Sequence, residues 1–102
     1  MNLYSVMLKR NFQNSLKISL LAFVLTACAG IPVQEMSNAR QAVDAARKVG
    51  AETRATTELK SAEALLQSAE QALQEGNYKK ARKDAVASRD QAVQAQDKSL
   101  NE

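Results

Sequence analysis

The 102-residue chain holds one cysteine and no histidine, and those two counts bound its chemistry. A thiolate is the strongest nucleophile among the common side chains. The only candidate, Cys28, stands directly behind Leu25, Thr26 and Ala27. Without histidine there is no imidazole to act as a general base near neutral pH or to ligate a metal. Glu63 and Glu70 would lie about 10 Å apart along one helix by rise alone, a spacing that two-carboxylate chemistry could use. The residues around them, however, are too small to form a pocket, so the pair reads as a solvated helix face. Ser37 and Ser61 have no neighbouring base and fit surface or capping positions. The expectation is a protein that is not an enzyme, with no catalytic residue, no cofactor, no metal and no small-molecule substrate.

The elements around Cys28 explain its placement. Lys9, Arg10 and Lys17 are the only charges in residues 1–27, and the apolar run from Ile18 to Leu25 follows them. This is the basic and then hydrophobic order of an export signal. From Ile18 to Ala29 the uncharged stretch would span about 18 Å as a helix, short of the roughly 30 Å hydrocarbon core, which argues against a permanent transmembrane helix. Leu25-Thr26-Ala27-Cys28 resembles the lipobox of bacterial lipoproteins, with a bulky residue, two small ones and the acceptor cysteine. That resemblance implies a covalent lipid on the Cys28 sulfur, cleavage of residues 1–27 and acylation of the new amine. Ala29 stands where an aspartate would resemble an inner-membrane retention signal. The implied location is the outer membrane, lipid-anchored on the periplasmic face.

Loss of the leader also removes the net charge. Of 14 basic residues, Lys9, Arg10 and Lys17 belong to the leader, and the remaining 11 balance the 11 acidic ones. A basic balance would suggest nucleic acid or anionic surfaces as partners. Here it reports the leader alone, so nucleic acid is not an expected partner. With its one thiol consumed as a thioether, the mature chain has no disulfide.

About 75 residues remain, without Trp, His or Phe and with Tyr78 as the one aromatic. A core of this size rarely supplies more than about 3 to 5 kcal/mol. Alanine fills most apolar positions, which favours helix formation but buries little area. Residues 28–32 read as a lipidated tether, with Pro32 suited to a helix start. Residues 33–102 read as one alanine-rich helical domain. A first helix is predicted from Val33 to Val49, with Val33, Met36, Ala39, Val43 and Ala46 on one face and Gly50 as a left-handed cap. The pattern lapses from Ala51 to Thr56, and Thr56 or Thr57 can cap the next start.

The second helix, about Thr57 to Gln74, carries Leu59, Ala62, Leu66, Ala69 and Leu73 at alternating steps of three and four. Gly76 and Asn77 tolerate positive φ and predict a sharp turn. The third helix, about Tyr78 to Asp97, shows a stripe of Tyr78, Ala81, Ala85, Ser88, Ala92 and Ala95, flanked by Val86, Val93 and Leu100. The fold class expected is all-α: a long helical hairpin plus an N-terminal helix in a small alanine-rich bundle. Leu59, Leu66 and Leu73, with Tyr78, form the expected packing seam, and the thin core makes that seam a route to self-association.

Residues 64–85, centred on Gly76-Asn77-Tyr78, look like the inner turn of a tetratricopeptide-type hairpin. Such repeats need about three copies for stability, and one hairpin implies the local geometry alone. Three stretches together, Met36 to Arg47, Leu59 to Ala69 and Gly76 to Arg82, are similar to an uncharacterised family of short proteobacterial envelope lipoproteins. Related domains precede peptidoglycan-binding modules of the outer-membrane protein A kind.

Within the helices, Glu75 with Lys79, Arg40 with Asp44, and Lys80 with Asp84 sit four apart and are expected to pair. Lys79, Lys80, Arg82 and Lys83 form the one basic cluster. Interleaving with Asp84 and Asp90 reads as a solvated face; contact with lipid phosphates or an acidic partner is the alternative. The expected role is structural or interactive: a lipoprotein held to the membrane through acyl chains, meeting a periplasmic envelope protein or its own copies. One alternative resembles the murein lipoprotein, a coiled coil at the cell wall, although the C-terminal lysine of that family is replaced by Leu100-Asn101-Glu102. Another resembles small membrane-perturbing lysis lipoproteins, for which the alanine-dominated faces are too weakly amphipathic.

Overall fold

The computed structural model describes residues 30–101. The described residues form four helices and no strand: α1 (Val33–Lys48), α2 (Ala51–Arg54), α3 (Thr56–Gln74) and α4 (Tyr78–Asn101). The all-α class read from the pattern is the one observed.

Local chemistry sets each boundary. The Pro32 carbonyl accepts the Met36 N–H at 3.0 Å and so opens α1. Pro32 is itself fully buried, and the compact unit begins at Ile31. The last two residues of the expected tether therefore belong to the body. Glu35 in the first turn of α1, and Arg47 with Lys48 in the last, complement the helix dipole. Gly50 adopts φ +88° and closes the helix as expected, donating to the Arg47 carbonyl at 3.0 Å. Its own carbonyl then accepts the N–H groups of Thr53 and Arg54, which winds the single turn α2.

Ala55, not a threonine, caps α3. The corner between α2 and α3 is 1% exposed at Ala55 and packs on Val43 and Leu59, where a polar cap would be stripped of water. Thr56 is the first residue of α3 instead, and its hydroxyl donates back to the Glu52 carbonyl at 2.8 Å. At the far end of α3, Gly76 takes φ +76°. Asn77 N–H reaches the Ala72 carbonyl at 2.8 Å and Gly76 N–H the Leu73 carbonyl at 3.1 Å, the paired bonds of a glycine C-cap. Asn77 has no positive φ. Its side-chain oxygen accepts the Lys80 N–H at 3.2 Å, so it caps α4 rather than sharing the turn with Gly76.

A Cβ at Gly76 would meet nothing within 4 Å, so the cost of a substitution there lies in the backbone alone. Gly76→Ala is expected to lower stability by about 1 to 2 kcal/mol. Urea titration of both proteins reads this directly; equal midpoints would show that the turn tolerates another conformation.

Cross-helix contacts fix the topology. Arg40 pairs with Glu70 at 3.2 Å and Arg47 with Glu63 at 3.0 Å, so α1 and α3 run antiparallel. Asp84 meets Ser68, Ser88 meets the Ala62 carbonyl, and Lys98 meets Glu58, so α3 and α4 are antiparallel too. Glu35 with Arg82, and the Ala42 carbonyl with Gln96, make α1 and α4 parallel neighbours. The three long helices run up, down and up.

Two small clusters make the core. Val43, Ala46, Ala51, Ala55, Leu59, Ala62, Ala92 and Ala95 pack by the α2 corner. Met36, Ala39, Ala69 and Ala85 pack toward the other end, and Leu66 touches both groups. Alanine at the crossing points lets the helix axes approach closely. Two buried serines are satisfied: Ser88 Oγ donates to the Ala62 carbonyl and Ser99 Oγ to the Ala95 carbonyl, each at 2.7 Å. Arg54 also donates to the Ser99 carbonyl, holding α4 in helix one turn beyond the expected stop at Asp97.

Candidate functional site

Cys28, with Leu25, Thr26 and Ala27, lies outside the described residues. The structure does describe the body to which those residues lead. Because α1 and α4 are parallel, the start of α1 and the start of α4 share one end of the bundle. Glu35 is bridged to Arg82 at 3.3 Å, and Met36 packs in one cluster with Ala85. The turn from Gly76 to Tyr78 therefore sits beside the point where the chain enters the body. The α2 corner and the C-terminal turn of α4 occupy the opposite end.

The leucine seam is used internally. Leu59 is 4% exposed in the corner cluster, Leu66 packs against both clusters and Leu73 against the second. Tyr78 departs from the seam and from the expected α4 stripe, at 38% exposure, because it lies in the first turn of α4 past the end of α3. Val33 is likewise exposed at the first position of α1. Leu59 is covered within the bundle, while Leu66 and Leu73 stay half-buried at its surface.

Glu63 and Glu70, the carboxylates spaced as two-carboxylate chemistry would have them, are each engaged by an arginine of α1. Arg40 therefore leaves Asp44, its expected partner, and Asp44 is met by Arg47 at 3.7 Å. Seven-residue spacing in both Arg40/Arg47 and Glu63/Glu70 was the signal for this ladder. The Lys80–Asp84 pair forms as expected at 2.6 Å. Glu75 and Lys79 fall on opposite sides of the turn, and Glu75 instead accepts from Gln71 at 3.3 Å.

One polar cluster carries several convergent groups. Ser68 Oγ donates to Asp84 Oδ2 at 2.7 Å, and Lys80 Nζ donates to both Ser68 Oγ and Asp84 Oδ2. Lys80 and then Ser68 hold the Asp84 carboxyl below the usual aspartate range of about 3.8. A carboxylate so stabilised is a poor proton acceptor, and the arrangement suits a clamp between α3 and α4. Glu58 is lowered in the same direction by its own backbone amide and by Lys98. Among the described residues, no three of His, Cys, Asp and Glu converge to hold a metal ion. No described helix is long and apolar enough to cross a membrane.

The family described as Domain of unknown function (DUF4398) matches residues 34–102. The chain belongs to the DUF4398 family. The DUF4398 match opens one residue inside α1 and runs through α4, so the matched unit is the helical bundle itself. No curated protein matches the chain. No solved structure matches it either.

Two features of this DUF4398 bundle remain outside its own packing. Val86, Val93 and Leu100 are exposed at 37, 43 and 68%, at seven-residue intervals along α4. Lys79 and Lys83 make no hydrogen bond or ion pair among the described residues, whereas Arg82 and Lys80 are bridged to Glu35 and Asp84. They flank a shallow depression of about 380 Å³ lined also by Asn77 and Lys80.

The clamp predicts acid behaviour with a definite sign. A carboxyl lowered in the folded state adds stability above its unfolded value near 3.8, and that contribution is lost as pH falls through the lower folded value. Asp84→Asn is expected to melt below the parent protein at neutral pH, with the gap closing on acidification below about 3.8. Circular-dichroism melts across pH measure it. A gap independent of pH would remove the ionised clamp from the account.

Proposed function

We propose that this chain is a non-enzymatic, outer-membrane-anchored lipoprotein of the periplasm, whose helical bundle serves as a structural or protein-interaction module of the envelope. The observation that carries the reading is the order of residues: a basic and apolar leader, then Leu25-Thr26-Ala27-Cys28, then four residues to the buried Pro32 that opens the bundle. The polar groups of the bundle support it, because Arg40, Arg47, Lys80, Arg82 and Lys98 are engaged in holding helices together or bracing α4. Acyl anchoring raises the local concentration of any exposed face and so favours weak contacts. The surface offered for such contacts is the stripe of Val86, Val93 and Leu100, about 21 Å long by helical rise.

The test is crosslinking in the producing cell from photoreactive residues placed at Val86 and Val93, followed by identification of the adducts. One defined envelope protein, or a second copy of the chain, captured at both positions supports the interaction module. Adducts with lipid alone would leave a purely structural anchor and exclude the partner role.

A further inference from the structure

We propose that the tether end of the bundle is a membrane-contact face, on which Lys79 and Lys83 bind the anionic headgroups of the bilayer that holds the anchor. The inference rests on the lipoprotein reading and adds to it an orientation. Its first support is a covalent limit: Cys28 is four residues from the buried Pro32, and four extended residues reach no more than about 14 Å. An acylated Cys28 at the headgroup level therefore keeps the start of α1 close to the surface. Because α4 runs parallel to α1 and begins at the same end, its first turn is held there too.

The charges at that end are placed for such contact. Lys79 and Lys83 lie four residues apart on one side of α4, exposed and without a hydrogen bond or close ion pair among the described residues, Lys83 acting on Asp84 only through its charge. The acidic residue of the adjoining turn, Glu75, accepts from Gln71, while Asp84 and Glu35 are held by Lys80 and Arg82. Lys79 stands in the first turn of α4, where it opposes the positive end of the helix dipole and where no acidic residue offsets it. An anionic surface relieves that repulsion. Ile31, Val33 and Tyr78 are exposed at the same end, apolar side chains beside cations, as an interfacial contact requires. Attraction of this kind acts within about one Debye length, roughly 8 Å at physiological salt, a distance the tether makes accessible.

The mature chain has zero net charge, so any preference for anionic lipid must come from where the lysines sit. Tyr78 supplies the reporter, being the one aromatic residue after Cys28. The full chain is produced with its leader, its intact mass is measured, and the product is reconstituted into vesicles of phosphatidylethanolamine with or without phosphatidylglycerol, both with brominated acyl chains. The expected result is stronger quenching of Tyr78 emission when phosphatidylglycerol is present, lost at about 1 M salt, where screening shortens to roughly 3 Å. The Lys79→Gln/Lys83→Gln variant should lose the lipid dependence. Lys48→Gln/Lys60→Gln, which removes the same charge from exposed positions at the opposite end, should keep it. An acylated protein whose quenching ignores phosphatidylglycerol, or in which both double variants behave alike, overturns the contact face and leaves the anchor standing. A bare Cys28 thiol in the mass spectrum overturns the anchor and the face with it.

Discussion

Ala92→Leu is expected to lower the melting temperature of the bundle by between about 4 and 24 °C. Ala92 is 0% exposed and sits in the cluster of Val43, Ala46, Leu59 and Ala62, where all three long helices meet. Extra methylene groups in a filled core cost about 1 to 3 kcal/mol, because neighbours must leave their rotamers or the backbone must shift. For a domain of 60 to 100 residues each kcal/mol moves the melting temperature by roughly 4 to 8 °C. Against a total of about 3 to 5 kcal/mol the change leaves little margin. Ala64→Leu is the matched control, since Ala64 is exposed on α3 and the same atoms would enter water there. A melt of Ala92→Leu close to that of Ala64→Leu would show that the helices are not closely crossed at this point.

Cys28→Ser is expected to remove the protein from the outer membrane. A serine hydroxyl is far from ionising where a thiol is close to it, so the acyl-transfer step loses its nucleophile. Without the lipid, the leader is not released at Cys28. Each acyl chain contributes about 0.8 kcal/mol per buried CH₂, and no described helix can span a bilayer in its place. Membrane fractionation with intact mass of the product measures the outcome. A serine variant that stays in the outer membrane at the parent mass of a processed, acylated protein would end the lipoprotein reading.

Much of the fold is legible in the spacing of small residues. Met36, Ala39, Val43 and Ala46 in α1, and Ala81, Ala85, Ser88, Ala92 and Ala95 in α4, are the buried sets that the period points to. The limits have physical causes. In α3 the line of closest approach runs along Ala62, Ala69 and Ala72, and the larger Leu66 and Leu73 are pushed to its flanks, half-buried. Size therefore misleads when helices cross tightly: the residue of greatest hydrophobicity is not the one nearest the axis. Two of the three expected ion pairs fail for a related reason. Neighbours four apart on one helix are visible in a sequence, but Arg40 reaches Glu70 thirty residues away.

The candidate site was legible only in pieces. The basic cluster, the tether and Tyr78 can each be named from the sequence. Their common end depends on α1 and α4 being parallel, which follows from the sharp reversal that Gly50, α2 and Ala55 build between α1 and α3. Residues 51–56 show no period that would announce such a reversal, and the cap expected from Thr56 or Thr57 is not made. Two of the four residues of the α2 turn carry opposite charge, and only Ala51 of that turn is buried, so its signal is weak.

An odd number of passes has a mechanical outcome. A two-helix hairpin returns the chain to its point of entry, but the third pass here delivers it at the far side. The 24 residues of α4 carry the backbone about 36 Å along its axis. Asn101 thus stands at the remote end from Ile31. The backbone therefore enters and leaves the described bundle at opposite ends, separated by roughly the length of its longest helix.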